Sequence, residues 1–244
     1  MGQRVLFFVV AGESDEVPDA AAFRDQSLRT GSLPATPDAQ ALLLDRRFFE
    51  ALSAARLTLC AIGREWIPAL PERFRGVAVA ENRSGWQVAP ASAAERVKSW
   101  LADSGAATAA QRRLDAAASA ILNEPWDLFA LWVPVKEAAA TAHVTEQLRK
   151  LMVSQTADVV VIAVFLPKSG SGSWLLRSPS GETAALPPHL AEDILPTVLF
   201  ALGAPVPEGL HGTPLNLEQE QKPAGYSPED EREIQRRLED LGYL

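Results

Sequence analysis

Four short, almost unbroken apolar runs constrain this chain more than any other feature. Residues 4–11, 57–63, 127–134 and 158–166 are dense in Val, Ile, Leu and Phe, as in Val5-Leu6-Phe7-Phe8-Val9-Val10. Each has the length of a strand and lacks the alternation of a half-exposed one, so each is expected to be buried on both faces. The segments between them carry helical spacing instead, over residues 45–55, 91–102, 109–123 and 140–154. Alternating strands and helices, with the strands doubly buried, predict an α/β fold: a mostly parallel central sheet with helices on both faces. A chain of 244 residues fits one such domain, and a single domain over residues 1–244 is the expectation.

Composition removes several function classes. Apolar residues make up 47% of the chain, yet polar residues interrupt every stretch long enough to span a bilayer, so no membrane-spanning helix is expected. Met1-Gly2-Gln3-Arg4 leads directly into the first apolar run, which reads as a strand and is too short for a signal segment; Leu6 stands where an acylation signal needs Ser or Thr. Cys60 is the sole cysteine, which precludes an internal disulfide and fits a reducing cytoplasm. A formal net charge of −8, with Lys and Arg scattered, argues against nucleic acid as a partner.

Two turn-rich stretches attract notice. Residues 18–44 are weakly patterned and broken by Gly31, Pro34 and Pro37, which predicts a short helix followed by loop. Lys168-Ser169-Gly170-Ser171-Gly172-Ser173 follows the fourth apolar run and precedes Trp174-Leu175-Leu176. A Gly-rich loop that cradles phosphate requires a helix N-terminus next; a strand comes here instead, so the stretch reads as a hairpin.

The most specific text is Asp193-Ile194-Leu195-Pro196-Thr197-Val198-Leu199-Phe200-Ala201-Leu202-Gly203-Ala204-Pro205-Val206-Pro207, followed by Gly212-Thr213-Pro214-Leu215. Asp193 can cap a helix, Pro196 is tolerated in its first turn, and Gly203 can end it. Near the terminus, Ser227 and Pro228 start a further helix over residues 227–241, with Ile234, Leu238 and Leu241 as its apolar stripe. This text resembles the ending of the alkaline phosphatase superfamily, above all its type I phosphodiesterase, phosphopentomutase-like and sulfatase branches. Upstream, the first apolar run, the helix and strand over residues 48–62, and Pro125-Trp126-Asp127-Leu128-Phe129-Ala130-Leu131-Trp132 are similar to successive family elements in the same order. The resemblance implies an alkaline phosphatase-like sheet in a shortened chain.

The resemblance also implies a site, two divalent cations held by Asp and His at strand ends beside a Thr or Ser nucleophile. The first strand should end in Asp-Gly and reads Ala11-Gly12. Thr36, in Leu33-Pro34-Ala35-Thr36-Pro37, is the one remnant of a nucleophile that the resemblance offers, and it reads rather as a plain loop threonine. After the third strand an Asp should precede a His by four residues; here Ala139 precedes His143. The family's Ser-Asp-His-Gly is replaced by Val164-Phe165-Leu166-Pro167, and the Gly-rich loop at 169–173 holds no His. His189 and His211 fall in segments the family uses for structure.

One imidazole without a carboxylate partner cannot hold a divalent ion in catalytic geometry, because such sites need three or more protein ligands. His143 therefore reads as a helix-face residue, and Glu13, Asp15, Glu16 and Asp19 read as a solvated acidic loop after the first strand. No catalytic, cofactor-binding or metal-binding residue is assigned. The expectation is a non-catalytic relative acting in binding, regulation or scaffolding, with a protein as its partner. The alternative is a metal-dependent phosphodiesterase or phosphohydrolase whose site is rebuilt from Glu13, Asp15, Glu16, Asp19 and His143.

Overall fold

The computed structural model describes residues 3–12, 17–18, 20–23, 29–35, 39–82, 85–89, 109–136, 138–153, 159–177 and 190–215. The helices expected over 91–102 and 227–241, together with Thr36, His189 and the carboxylates Glu13, Asp15, Glu16 and Asp19, lie outside the described residues.

The four apolar runs become β1 (Arg4–Gly12), β3 (Thr58–Ile62), β6 (Leu128–Val135) and β7 (Val159–Leu166). They join β2 (Arg29–Leu33), β4 (Arg75–Asn82), β5 (Gly85–Ala89) and β8 (Gly172–Arg177) in one eight-stranded sheet, ordered β2-β8-β7-β1-β6-β3-β4-β5. Strands β7, β1, β6, β3 and β4 are mutually parallel, whereas β8, β2 and β5 are attached by antiparallel pairing. The fold is thus α/β with a mostly parallel mixed sheet.

Alternation along β1 divides the interior into two cores. Val5, Phe7 and Val9 pack with Phe48, Phe49 and Leu52 of α2 (Arg46–Ala54) and with Leu195, Val198 and Leu199 of α5 (Ile194–Ala201). Leu6, Phe8 and Val10 point the other way, toward Leu114 and Ala117 of α3 (Ala109–Asn123) and Val144 and Leu148 of α4 (Ala138–Val153). Helices therefore cover both faces. Full burial of each such side chain contributes about 1.5–3 kcal/mol, which is why these strands tolerate no polar residue in either phase. A short turn of helix, α1 (Ala39–Leu42), precedes α2.

Three strands were not expected from the sequence. In β2, Arg29-Thr30-Gly31-Ser32-Leu33 ends in a single large apolar residue, and its pairing with β8 supplies what its pattern lacks. Gly31 lies against the Trp174 indole, where an added Cβ would stand 2.4 Å from Nε1. Residues 18–44 accordingly hold a 3-10 turn at Ala20–Phe23, then β2 and α1, rather than one helix followed by loop. β4 reads Arg75-Gly76-Val77-Ala78-Val79-Ala80-Glu81-Asn82, too weakly apolar to stand out, and it is held between β3 and β5. Gly76 (φ 121°) sits so near β3 that a Cβ would meet the Leu59 carbonyl oxygen at 1.7 Å.

The C-terminal text is a helix and the strap tied across its start. Asp193 is not a simple cap for α5. Its carboxylate accepts from the backbone N–H of Leu190 (3.0 Å) and from that of Thr213 (2.7 Å), joining segments twenty residues apart. The fully buried Thr197 hydroxyl donates to the Asp193 carbonyl (2.6 Å) and accepts from the Leu215 N–H (3.0 Å). Gly212, at φ 96°, passes where a Cβ would lie 2.2 Å from the Glu192 carbonyl oxygen. The helix ends as expected at Gly203 (φ 69°), with Gly203 N–H donating to Phe200 O and Ala204 N–H to Leu199 O, the paired bonds of a Schellman cap.

Candidate functional site

In an open α/β sheet, ligands gather at the carboxyl ends of the parallel strands. Register places three such ends side by side here. Ala11 of β1 is level with Pro134 of β6 on one side and Leu166 of β7 on the other, and Gly12 is level with Val135. None of these side chains can donate to a metal. The residues just beyond are Lys136 after β6 and Pro167-Lys168 after β7, and both lysines are exposed. A hard cation needs an oxygen-rich donor set of carboxylates, carbonyls and waters, and ammonium groups repel it. The described strand ends therefore do not fit the two-cation centre that the family resemblance implies, and no grouping of three or more His, Cys, Asp or Glu suited to a metal occurs among the described residues.

The histidines do not repair this. His143 is exposed on α4, whose inward side is formed by Val144, Leu148 and Leu151. His211 is exposed beside the start of α2, where its charge helps to lower the Asp45 pKa. The larger cause of that lowering is the hydrogen bond from the Arg47 side chain; Asp45 also accepts from the Arg47 backbone N–H (2.9 Å) and so caps α2. Cys60 lies inside β3, where burial pushes its thiol pKa far up and leaves it inert as a nucleophile.

At the β3 side of the same edge the structure is sealed. Gly63 (φ 132°) follows β3, and Glu65 accepts from Arg113 Nη1 at 2.8 Å. Arg113, 3% exposed on α3, also donates to the Trp132 carbonyl oxygen (2.9 Å). Its guanidinium ties the helix to β6 and to the 3-10 turn Arg64–Ala69 that follows β3.

At the β7 side the edge is open. A groove of about 650 Å³ is lined by Leu33, Pro34 and Ala35 at the end of β2, by Ala39, Gln40, Ala41 and Leu44 around α1, by residues 166–170 and Gly172, and by Ala191. Of the segments that the family resemblance singles out, 33–37 for the nucleophile and 164–167 for the ligand pair, the described residues 33–35 and 166–167 are more than a hundred residues apart and meet in this one groove. There they contribute only Leu, Pro and Ala to its lining. The one ionisable side chain on its described lining is Lys168. In the sequence Lys168 marks only a turn; its place on the groove depends on the β2–β8 pairing, which residues 29–33 do not announce.

Comparison with solved structures bears on the architecture. The phosphonate monoester hydrolase SpPMH from Silicibacter pomeroyi matches with a TM-score of 0.52 at 11% identity, covering 87% of this chain and 76% of its own. Ps i-CgsB, solved in complex with k-i-k-neocarrahexaose, matches with a TM-score of 0.50 at 10% identity, covering 87% of this chain and 75% of its own. The fold is alkaline phosphatase-like, an α/β architecture shared with these two structures. No protein-family model and no curated protein matches the sequence. At this identity the likeness speaks for the alkaline phosphatase-like architecture, and the chemistry rests on the residues present.

Proposed function

We propose that this protein is a non-catalytic relative within the alkaline phosphatase superfamily, a binding or scaffold protein that keeps the sheet and its cleft without the metal chemistry. The observation that carries the reading is the row of strand ends. Ala11, Pro134-Val135 and Leu166-Pro167 are brought level by the sheet register, at the position where metal ligands would have to converge. Hydrolysis of phosphate esters is among the slowest uncatalysed reactions, and useful acceleration requires on the order of 20 kcal/mol of transition-state stabilisation in extreme cases. Lys168 on the cleft supplies positive charge, but an ammonium group neither attacks phosphorus nor holds a hydroxide.

The test is hydrolysis of phosphate monoesters, phosphate diesters and sulfate esters by the purified protein with zinc, manganese, magnesium or calcium. No turnover above background is expected. Turnover that survives repeated purification, and is abolished by His143→Ala or by alanine at Glu13, Asp15, Glu16 and Asp19, would overturn this reading in favour of a rebuilt metal site.

A further inference from the structure

The groove at the β7 edge has a chemistry of its own. Small and apolar side chains such as Leu44, Leu166, Ala39 and Ala191 line it together with the polar Gln40, Lys168 and Ser169. A volume of about 650 Å³ lies within the range of small-molecule sites, roughly 300–1,000 Å³. Small side chains leave this space because they cannot reach across it. At one rim stands Lys168, exposed and without a described ion-pair partner, in a chain of formal net charge −8. Gln40 lies on the α1 side of the same groove.

The position of Lys168 is fixed by the loop that carries it. Pro167 follows β7 directly, Gly170 adopts φ 89°, and Gly172 returns as β8 so close to β7 that a Cβ would be 2.6 Å from the Phe165 carbonyl oxygen. The Lys168 backbone is therefore held at the groove mouth by a tight turn, and its exposed side chain lines the groove.

We propose that this groove binds a small amphipathic anion without metal, its apolar body on Leu33, Leu44 and Leu166 and its anionic group at the Lys168 ammonium. This rests on the non-catalytic reading and adds the class of ligand. A neutral apolar ligand would leave the Lys168 ammonium, the one cation of the described lining, unused, and a cation would face it directly. Carboxylate and sulfonate groups share the required chemistry, and direct contact with an ammonium is a charge-assisted hydrogen bond.

The test is fluorescence titration of the full chain with anilinonaphthalene sulfonate, and with the same aromatic body lacking the sulfonate, N-phenylnaphthylamine. One saturable site for the sulfonate is expected, with the neutral compound at least about tenfold weaker, the order of one hydrogen bond to a charged group. Lys168→Glu should weaken the sulfonate by at least as much and leave the neutral compound unchanged, and Lys168→Arg should restore binding. Ala41→Trp, which fills the groove from α1, should weaken both. Equal affinity for the two compounds, or insensitivity to Lys168→Glu with an unchanged melting curve, would overturn the proposal. Displacement of the bound sulfonate by octanoate or by octyl sulfate would distinguish a carboxylate ligand from a sulfated one. Absence of binding together with absence of ester hydrolysis would overturn the ligand proposal and leave the non-catalytic reading standing. Ester hydrolysis would overturn both.

Discussion

Two neighbouring regions, the strap over residues 190–215 and the groove edge over residues 166–172, both fall where the sequence resembles the alkaline phosphatase superfamily, yet only the strap keeps the wording on which the resemblance rests. In the strap each distinctive residue answers to a backbone requirement. Asp193 ties Thr213, Thr197 ties Leu215, Gly203 ends the helix in a positive-φ conformation, and Gly212 slips past the Glu192 carbonyl. At the groove edge the residues that define the family in chemical terms are Leu166 and Pro167, and the requirement that remains is only that β7 turn into β8. On the non-catalytic reading proposed above, structural text would persist while the fold needs it, and chemical text would be replaceable once no metal is held. Carboxylates crowded together would repel one another without a cation between them.

That contrast can be broken by paired substitutions, beginning with glycines that adopt positive φ in both regions. Gly212→Ala would bring a Cβ to within 2.2 Å of the Glu192 carbonyl oxygen, and roughly 3 kcal/mol of destabilisation is expected in urea unfolding. Gly170→Ala, where a Cβ would meet nothing within 4 Å, should cost only its backbone strain, about 1 kcal/mol. Equal losses would show that the groove loop is as tightly specified as the strap.

Arg113→Met should follow at roughly 2–3 kcal/mol, because it removes a buried donor from the Trp132 carbonyl and leaves Glu65 to the more exposed Arg64 at 3.6 Å; partial exposure of Glu65 keeps the loss below that of a fully buried pair. A loss under about 0.5 kcal/mol would mean that the sealed end of the strand edge is held by apolar packing alone. Thr197→Val preserves shape but deprives the buried Leu215 N–H of its acceptor, and about 1–2 kcal/mol is expected by the same measurement.

The smallest effect is a pH dependence. The Asp45 pKa is lowered from 3.8, first by the Arg47 side-chain hydrogen bond. A depressed carboxylate contributes stability that is present above its unfolded value and is lost as pH falls through the folded one. Melting temperatures of wild type and Asp45→Asn should therefore differ above pH 4 and converge as the pH falls below it. A constant difference across that range would remove Asp45 ionisation from the account.

Much of the fold was legible because its central strands need apolar residues in both phases: Val5 to Val10 and Val159 to Leu166 can hardly be read otherwise. The strands that escaped, β2, β4 and β5, owe their state to their neighbours. Gly31 fits beneath Trp174, and Gly76 fits against Leu59, contacts invisible in a local pattern. The C-terminal motif was recognisable as structural, but Asp193 was expected to cap a helix and instead joins two loops. That bond spans twenty residues, beyond the reach of capping rules. At the site, Ala11 and Leu166 could be read directly as residues of two strand ends, and the sheet places them level with each other. The groove could not, since it arises only when residues 33–44 fold over residues 166–172. His143 was expected on a helix face, and it lies there, exposed.

The central claim is that the cleft at the strand ends no longer holds catalytic cations, and metal content measures this most directly. Protein expressed and purified with zinc, manganese, magnesium and calcium available, then passed through a desalting column, should carry well below one equivalent of any divalent metal by elemental analysis. One or more tightly held equivalents per chain, lost on His143→Ala or on replacing Glu13, Asp15, Glu16 and Asp19, would contradict the account.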